Sequence, residues 1–270
     1  MPAVAVVGNL ARDVVDGGAP SAGGCPFFAA EAVRRLGREA QIVTRFAEHD
    51  ADVFRPALAA LAVPVTLLPA ARTSGFAHDY AGEERATAVT GIGETWAPGD
   101  ARALEPDVAW VHVAPLLRSD FPAETLGALA AGRRVSLDGQ GLVRIPRHGP
   151  LATDNAFDPA LLRHVTALKL SEEEARVVAG GPFDAGVAER LGVPEVLLTL
   201  GSHGAVVFAG GRERFVPAAW PVYGVQTTGA GDAFMVGYAL ARTEGAEPVE
   251  AARRASRLVA ELLEERKRPA

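Results

Sequence analysis

Cysteine is nearly absent from this sequence, and its scarcity excludes two kinds of site. Cys25 is the only cysteine among 270 residues, so the chain can form neither an internal disulfide nor a cysteine-based zinc site. None of the six histidines belongs to a His-x-x-x-His pair. A long apolar run is also missing, because no stretch approaches the roughly 20 residues that a membrane-spanning helix requires. We therefore expect neither a disulfide-rich protein, nor a zinc protein, nor a membrane protein.

An excess of basic residues is missing as well. Asp and Glu number 33 against 27 Lys and Arg, which gives a formal net charge of −6. This balance argues against nucleic acid or anionic lipid as a partner, since both are bound through basic surfaces. The first eight residues lack the basic residues that open a signal peptide, so we expect a cytoplasmic protein. The run Glu264–Arg268 mixes both signs and is predicted to be the solvated end of a helix.

Composition and patterning predict a single α/β domain over residues 1–270. Apolar residues make up 49% and charged residues 22% of the chain, an ordinary balance for a globular protein. Short runs rich in Val and Leu alternate with helix-like stretches, which is typical of a mainly parallel sheet sandwiched by helices. The predicted strands span 4–8, 40–44, 65–68, 108–113, 134–138, 167–170 and 196–200. The predicted helices include 29–36, 53–61, 123–131 and 172–179. Ligands of such sheets bind beyond the carboxyl ends of the strands.

Two segments depart from this alternation. Residues 10–21 are polar and contain glycine, and residues 73–91 alternate aromatic or β-branched residues with polar ones. The second segment is predicted to be a β-hairpin with one solvated face. Both segments could form a small β lid, or the hairpin could be a surface hairpin without that role. The hairpin residues that could cover a substrate, or only pack the hairpin, are Phe76, Tyr80 and Arg85.

The segment Gln226–Phe234 carries the strongest chemical signal, because small residues lead there directly into an apolar helix-like stretch. Gly229 and Gly231 would let the backbone approach an anion, and the first amides of a helix have no intrahelical partner. With the helix dipole, these amides form an anion site. Asp232 would stand beside the anion and could take a proton from an incoming hydroxyl, which contributes about 10²–10⁴-fold in rate. The alternative is an ordinary helix start at which the dipole favours Asp232.

Thr227–Phe234 (TTGAGDAF) resembles the C-terminal signature of the ribokinase-like (PfkB) carbohydrate kinase family. Further similarities follow in the family's order along nearly the whole chain. They are Gly8–Asp13 for the first strand and its substrate-binding aspartate, Gly23-Gly24 with the helix 29–37 for the di-glycine motif, Lys169–Glu174 for the Asn-x-x-Glu motif, and Leu198–Ala205 for the nucleotide-side loop. Leu137–Arg144 resembles the family's Asp-x-Asn-x-x-Arg-like segment in the form seen in compact members such as inositol kinases, although it could also be a plain strand-end turn.

This resemblance implies a ribokinase-like fold, ATP with Mg²⁺, and phosphoryl transfer to a hydroxyl of a small polyol. The residues that it implies for catalysis are Asp232 as the base and Gly229, Ala230 and Gly231 as the anion hole. Those that it implies for the acceptor are Asp13, Gly23, Gly24, Phe28, Gln140 and Arg144. Those that it implies for the nucleotide and magnesium are Ser171, Glu174, Thr199, Gly201, Gly204, Thr228 and Ser256, with Glu174 ordering the magnesium waters.

Four residues depart from the family's pattern. Gln226 replaces a usual acid, and Ser171 replaces an asparagine, so that Ser171 and Glu174 also match a plain capping box. Phe28 stands where an asparagine is common, and Ala11 stands where ribokinases proper place a polar contact. The last two differences argue against ribose as the acceptor. A sugar or a cyclitol such as inositol is therefore expected first, and a nucleoside second.

Two alternative functions are weighed against the sequence. The chain could be a ligand-binding sensor that lost efficient catalysis, although the intact Gly-Ala-Gly-Asp over 229–232 argues against this. A nicotinamide-dependent dehydrogenase is disfavoured because Gly8–Asp13 is not Gly-x-Gly-x-x-Gly.

Cys25 is expected to be a packed residue rather than a nucleophile, and His203 a solvent-facing turn residue. By analogy, the lid could also pair with a second lid in a homodimer.

Overall fold

The computed structural model describes residues 3–79 and 86–267, which form two β-sheets covered by helices. The strands in these ranges are β1 (Val4–Asn9), β2 (Ala11–Val15), β3 (Ser21–Gly23), β4 (Gln41–Arg45), β5 (Val65–Leu68), β6 (Ser74–Asp79), β7 (Ala86–Gly91), β8 (Trp110–Val113), β9 (Arg134–Asp138), β10 (Gly149–Pro150), β11 (Ala167–Ser171), β12 (Glu195–Thr199), β13 (Gly204–Ala209) and β14 (Arg212–Pro217). The α-helices are α1 (Cys25–Leu36), α2 (Ala51–Leu61), α3 (Ala123–Leu129), α4 (Gln140–Val143), α5 (Glu172–Ala179), α6 (Ala185–Arg190), α7 (Ala230–Thr243) and α8 (Pro248–Lys267).

The larger sheet has nine strands in the order β14-β13-β12-β11-β9-β8-β1-β4-β5. The strands from β12 to β5 run parallel to their neighbours, whereas β13 and β14 are antiparallel at one edge. The predicted mainly parallel sheet between helices is therefore confirmed. The two antiparallel strands were not predicted, because β13 follows directly on a segment interpreted as a loop and β14 is an almost wholly exposed edge strand.

The hydrophobic core lies on both faces of the larger sheet. Side chains of a strand alternate between its two faces, and the side chains of β1 follow this rule. Val4 and Val6 pack into one apolar cluster with α1, α7 and α8, whereas Ala5 and Val7 pack into a second cluster on the opposite face. All four residues are fully buried, which explains why β1 is an uninterrupted apolar run in the sequence.

Local signals set the ends of the helices near the site. The backbone turns into α1 at Gly24, which has a φ of 91°, and Pro26 lies in the first turn of the helix. The helix ends at Gly37 with a φ of 57°, a conformation that glycine adopts without strain. α5 begins at a capping box formed by Ser171 and Glu174, and it ends at Gly180.

The smaller sheet has five strands in the order β10-β7-β6-β2-β3. β6 and β7 pair antiparallel, so the predicted hairpin within 73–91 is confirmed. β2 joins this sheet by pairing in parallel with β6, and it comes from the segment 10–21. β10 was not predicted. Tyr80 and Arg85, which could cover a substrate according to the sequence, lie outside the described residues.

Within the described ranges, no helix combines the length and the apolarity that crossing a bilayer would require.

Candidate active site

The candidate site is built around the N-terminus of α7. Gly229, which precedes this helix, has a φ of 81°, a region that L-residues rarely occupy. A Cβ atom on Gly229 would also lie only 2.4 Å from Cγ of Phe28. Both observations require glycine at this position. The helix then starts at Ala230 and places Asp232 in its first turn.

A cavity of about 660 Å³ opens at this helix terminus and brings together most of the residues that the sequence singled out. It lies where β9 and β11 end, as expected for a parallel sheet. The predicted site residues that line it are Asp13, Gly24, Phe28, Gln140, Arg144, Ser171, Glu174, Thr228, Gly229, Gly231 and Asp232. Gly23 instead packs under Asp13, because a Cβ atom on Gly23 would lie 1.9 Å from Asp13 Oδ2.

Asp232 is partly buried among groups of both signs. Burial and, after it, the neighbouring carboxylate of Asp138 raise the pKa of Asp232 to about 6. The Cys25 thiol, Lys169 and Arg144 act in the opposite direction on this pKa. A carboxyl group with a pKa near 6 is still ionised at neutral pH and is a stronger base than an ordinary aspartate.

Cys25 is a packed residue rather than a reactive one, in agreement with the sequence expectation. It is 2% exposed at the start of α1 and lines the cavity beside Asp232. Burial raises the pKa of the Cys25 thiol, and the Asp232 carboxylate raises it further. Because the thiolate is the nucleophilic form, this environment disfavours nucleophilic chemistry at Cys25.

Lys169 is a site residue that the sequence analysis did not single out. Its side chain extends from β11 into the cavity, where Nζ lies 3.2 Å from Asp138 Oδ2 and 3.7 Å from Glu174 Oε2. Burial opposes the charge of Lys169, but the carboxylates of Asp138, Glu174 and Asp232 raise its pKa above the ordinary value. Lys169 therefore presents a permanent positive charge to the cavity. A signal was present in the sequence, because this lysine interrupts an otherwise apolar strand.

One side of the cavity combines hydrogen-bonding groups with aromatic walls. Asp13 Oδ1 is buried and has no hydrogen-bond partner in the described part of the chain, so it can accept a hydrogen bond from a ligand. His78 of β6 lies with Nε2 3.9 Å from this oxygen. Phe28 and Phe76 also line the cavity. His78 was not singled out from sequence, because only the pairing of β2 with β6 brings it beside Asp13.

Gln140, the first residue of α4, and Arg144, which follows this helix, also line the cavity. The backbone amide of Gln140 donates to Asp138 Oδ1 at 3.1 Å, which holds the start of this short helix against the end of β9. The guanidinium of Arg144 lies close enough to lower the pKa of Asp232. Lys169 and Arg144 thus bring two cationic groups to the cavity, which suits a ligand that carries phosphate.

A second cavity of about 250 Å³ lies on the other side of the α7 terminus. The predicted nucleotide-side residues that line it are Thr199, Gly201, Gly204 and Ser256. Ala230, which was predicted for the anion hole, also lines it, but its backbone amide donates to the carbonyl oxygen of Thr227 at 3.0 Å. The other walls of this cavity are largely apolar and include Trp220, Val222, Phe234 and Leu263. Gly231 lines both cavities, so the two spaces meet at the helix terminus. His203 of the adjacent turn is exposed, as expected.

The sequence left open whether Glu174 forms a capping box with Ser171 or orders the waters of a magnesium ion. The capping box is observed. Glu174 Oε2 accepts a hydrogen bond from Ser171 N at 2.8 Å, and Ser171 Oγ accepts one from Glu174 N at 3.2 Å. Glu174 also lines the cavity, and its other oxygen, Oε1, takes no part in these contacts. Mg²⁺ is commonly held by one or two carboxylates together with substrate phosphates and water. The residues present therefore fit a magnesium ion held largely by the phosphates of a donor.

Comparison with known proteins decides the family. The pattern of the pfkB family carbohydrate kinases matches residues 18–267. The chain belongs to the pfkB family. The dehydrogenase alternative is thereby excluded, and the chain is identified as a carbohydrate kinase of the ribokinase-like fold.

Solved structures of a ribokinase-family kinase, a ribokinase and a nucleoside kinase share this fold. One is a pyrophosphate-dependent kinase in the ribokinase family, complexed with a pyrophosphate analogue and myo-inositol; the TM-score is 0.82 and the identity 21%, over 97% of this chain and 95% of that chain. For the ribokinase of Arabidopsis thaliana with ribose and ATP, the TM-score is 0.72 and the identity 20%, over 97% of this chain and 93% of that chain. For the nucleoside kinase of Burkholderia thailandensis with inosine, the TM-score is 0.72 and the identity 21%, over 97% of this chain and 91% of that chain. At these identities the similarity establishes the fold and leaves donor and acceptor to be argued from the site.

Proposed function

We propose that this protein transfers the terminal phosphoryl group of ATP to a hydroxyl of a small polyol, with Asp232 as the general base. The observation that carries this proposal is the position of Gly231, which lines a largely apolar cavity on one side and a polar, charged cavity on the other. A nucleotide in the largely apolar cavity would extend its phosphates to the helix terminus. An acceptor in the polar, charged cavity would then meet the terminal phosphate beside Asp232.

The residues of the chain divide the reaction between them. Asp232 takes the proton of the acceptor hydroxyl as its oxygen forms a bond to the γ-phosphorus, and the bond from that phosphorus to the bridging oxygen breaks to release ADP. The backbone amides of Gly229 and Gly231 and the cation of Lys169 would stabilise the charge on the transferred group, whereas the amide of Ala230 already donates to the carbonyl of Thr227. The smaller sheet, which supplies Asp13 and His78, would serve as a lid that excludes water from the reaction.

Magnesium is proposed as the metal cofactor, with Glu174 as its carboxylate neighbour through water. When bound, the ion would offset the negative charge of the donor phosphates. Among the described residues no cluster of three or more metal-ligating side chains occurs, so a magnesium ion at this site would depend on the donor for most of its ligands.

A cyclitol or a sugar is the acceptor that the cavity suits best. The buried, unpaired Asp13 Oδ1 and the side chains of His78 and Gln140 can bond several hydroxyl groups of one small molecule. Phe28 and Phe76 add apolar surface that can pack against the carbon face of a ring. A nucleoside remains the second candidate, because aromatic walls would also suit a base.

Pyrophosphate is a second candidate donor. Lys169 and Arg144 both reach the larger cavity, and two cations can bind a compact, highly charged anion without a base pocket. The similarity to a pyrophosphate-dependent kinase adds support. The largely apolar cavity lined by Trp220 and Phe234 favours ATP, since it would have no ligand to bind in a strictly pyrophosphate-dependent enzyme.

The test is a turnover screen in which ATP and pyrophosphate are each combined with inositols, pentoses, hexoses and nucleosides. Phosphorylated acceptor is measured together with ADP or inorganic phosphate. We expect one acceptor class to turn over with ATP, and Asp232→Asn to lose at least about 10²-fold in kcat. Asp52→Asn is the matched control, because Asp52 is also in the first turn of a helix but is exposed on α2. Equal turnover by Asp232→Asn and wild type would reject Asp232 as the base.

A further inference from the structure

Arg266 contacts the segment that leads into α7, the helix that carries Asp232. It lies in the last turn of α8, and its side chain is only 24% exposed. Nη1 donates to the carbonyl oxygen of Thr228 at 2.7 Å and to that of Gln226 at 3.3 Å. Nη2 donates to Glu31 Oε2 of α1 at 2.7 Å. The sequence prediction of a solvated helix end is therefore wrong for Arg266, because the fold brings residues 226–228 and α1 within reach of it.

The segment contacted by Arg266 has little regular structure of its own. Residues 224–229 belong to no strand or helix, and Gly224, Gln226 and Thr227 are exposed. Thr228 and Gly229 nevertheless line the cavity at the start of α7. An exposed loop with few packing contacts is expected to be mobile unless other groups hold it. Arg266 is such a group, because a guanidinium can donate several hydrogen bonds in a fixed planar geometry.

The geometry of the peptide bond gives these contacts a consequence for the site. In a trans peptide the C=O of one residue and the N–H of the next point in opposite directions. Within the described residues no cis peptide occurs. The carbonyl of Thr228 points at Arg266, so the amide of Gly229 points away from Arg266. In the same way, the contact with Gln226 directs the amide of Thr227 away from Arg266.

We propose that Arg266 is a positioning residue, which directs the amides of Gly229 and Thr227 towards the phosphoryl group of the donor. Arg266 does this from behind the loop, without touching the donor. Its positive charge also favours an anion on the far side of the two peptide groups. The proposal rests on the proposed function insofar as it concerns catalysis, but its central statement concerns anion binding and can be tested without turnover.

A purely structural role for Arg266 makes a different prediction. Arg266 pairs with Glu31, and the neighbouring Glu265 pairs with Arg35, so that two ion pairs join α8 to α1. If Arg266 mattered only as a link between these helices, Glu31→Gln and Glu265→Gln would resemble Arg266→Ala. If Arg266 orients the loop, both controls would resemble the wild type, since neither removes the contacts with the two carbonyl groups.

The experiment compares wild type, Arg266→Ala, Arg266→Lys, Glu31→Gln and Glu265→Gln. Binding of ATP and of pyrophosphate is measured by calorimetry, turnover is measured with the acceptor found in the screen, and thermal unfolding shows that each variant folds. Displacing catalytic groups by about 1 Å can cost about 10²-fold in rate. We accordingly expect Arg266→Ala to lose about 10- to 100-fold in kcat and to bind the donor more weakly, with an unchanged KM for the acceptor. Arg266→Lys should lie between wild type and Arg266→Ala, because an ammonium lacks the planar fork.

Rescue by guanidinium chloride provides a readout that a structural link would not move. Guanidinium at low, non-denaturing concentration should restore part of the donor affinity of Arg266→Ala and leave Glu31→Gln unaffected, with tetramethylammonium chloride as the ionic-strength control. Wild-type donor binding by a folded Arg266→Ala, or an equal loss in Glu31→Gln or Glu265→Gln, would overturn the proposal. Donor binding that responds to Arg266 without turnover of any acceptor would instead count against the proposed function alone. Failure of the wild type to bind either donor would overturn both.

Discussion

Two glycines at the start of α7 should respond to the same substitution in opposite ways. Gly231 has an ordinary helical conformation, and a Cβ atom there would meet only Cε and Nζ of Lys169, both at 3.4 Å. These atoms are the flexible end of a side chain, so the fold can accept the methyl group. Gly→Ala at a compatible position stabilises a protein by about 0.4–1 kcal/mol. Gly231→Ala should therefore fold at least as well as the wild type.

The same methyl group should nevertheless abolish most of the activity. Gly231 lies where the two cavities meet, so a Cβ atom would narrow the path that the donor phosphates take between them. Displacing the phosphates by about 1 Å from their reactive position can cost about 10²-fold in rate. We expect a loss of that order in kcat/KM for Gly231→Ala, measured with the acceptor found in the turnover screen.

Gly229→Ala is the contrasting variant, because it should lose stability as well as activity. The φ of 81° costs an L-residue about 1–2 kcal/mol, and the added Cβ would lie 2.4 Å from the Phe28 ring. Urea unfolding separates the two variants. A Gly231→Ala protein that turns over like the wild type, or one that is less stable than Gly229→Ala, would refute this description of the helix terminus.

Three further predictions concern pH, the acceptor and stability. Because the pKa of Asp232 is raised to about 6 and the base must be ionised, kcat/KM should be level above that pH and fall by about tenfold per pH unit below it; a flat profile down to pH about 5 would contradict this. His78→Ala should raise the KM for the acceptor by about fivefold and leave the KM for ATP unchanged, since a hydrogen bond contributes about 1 kcal/mol; an unchanged KM for the acceptor would remove His78 from the site. Arg242→Met should destabilise the fold by about 3–5 kcal/mol in urea unfolding, because it leaves Glu195, which is 5% exposed, without its ion pair. Arg254→Met removes an exposed ion pair on α8 and should cost less than about 1 kcal/mol. Equal losses of stability in the two variants would show that the buried pair of Glu195 stabilises the fold no more than an exposed pair.

Elements with a complete local signal were predictable from the sequence. β5, β9 and α5 occur at the predicted residues. For α5 the reason is visible, since Ser171 and Glu174 cap its start and Gly180 marks its end. The glycine loop before α7 was predictable in the same way, because glycine adopts the backbone conformation observed at Gly229 without strain.

Contacts between distant segments were not predictable in this way. Arg266 and Thr228 are 38 positions apart, and a mixed-charge helix end gives no sign of a partner in a loop. His78 reaches Asp13 only through the pairing of two strands of the smaller sheet. β14 carries alternating charges because it is an exposed edge strand, and this pattern hides its place in the larger sheet.

The position of the donor's terminal phosphate tests the central claim most directly. A crystal structure of the protein with a non-hydrolysable ATP analogue, Mg²⁺ and the acceptor would measure it. We predict that this phosphate lies within hydrogen-bond distance of the backbone amides of Gly229 and Gly231, with the reacting hydroxyl of the acceptor between its phosphorus and the carboxylate of Asp232. A triphosphate bound away from the start of α7, or an acceptor out of reach of Asp232, would contradict the account.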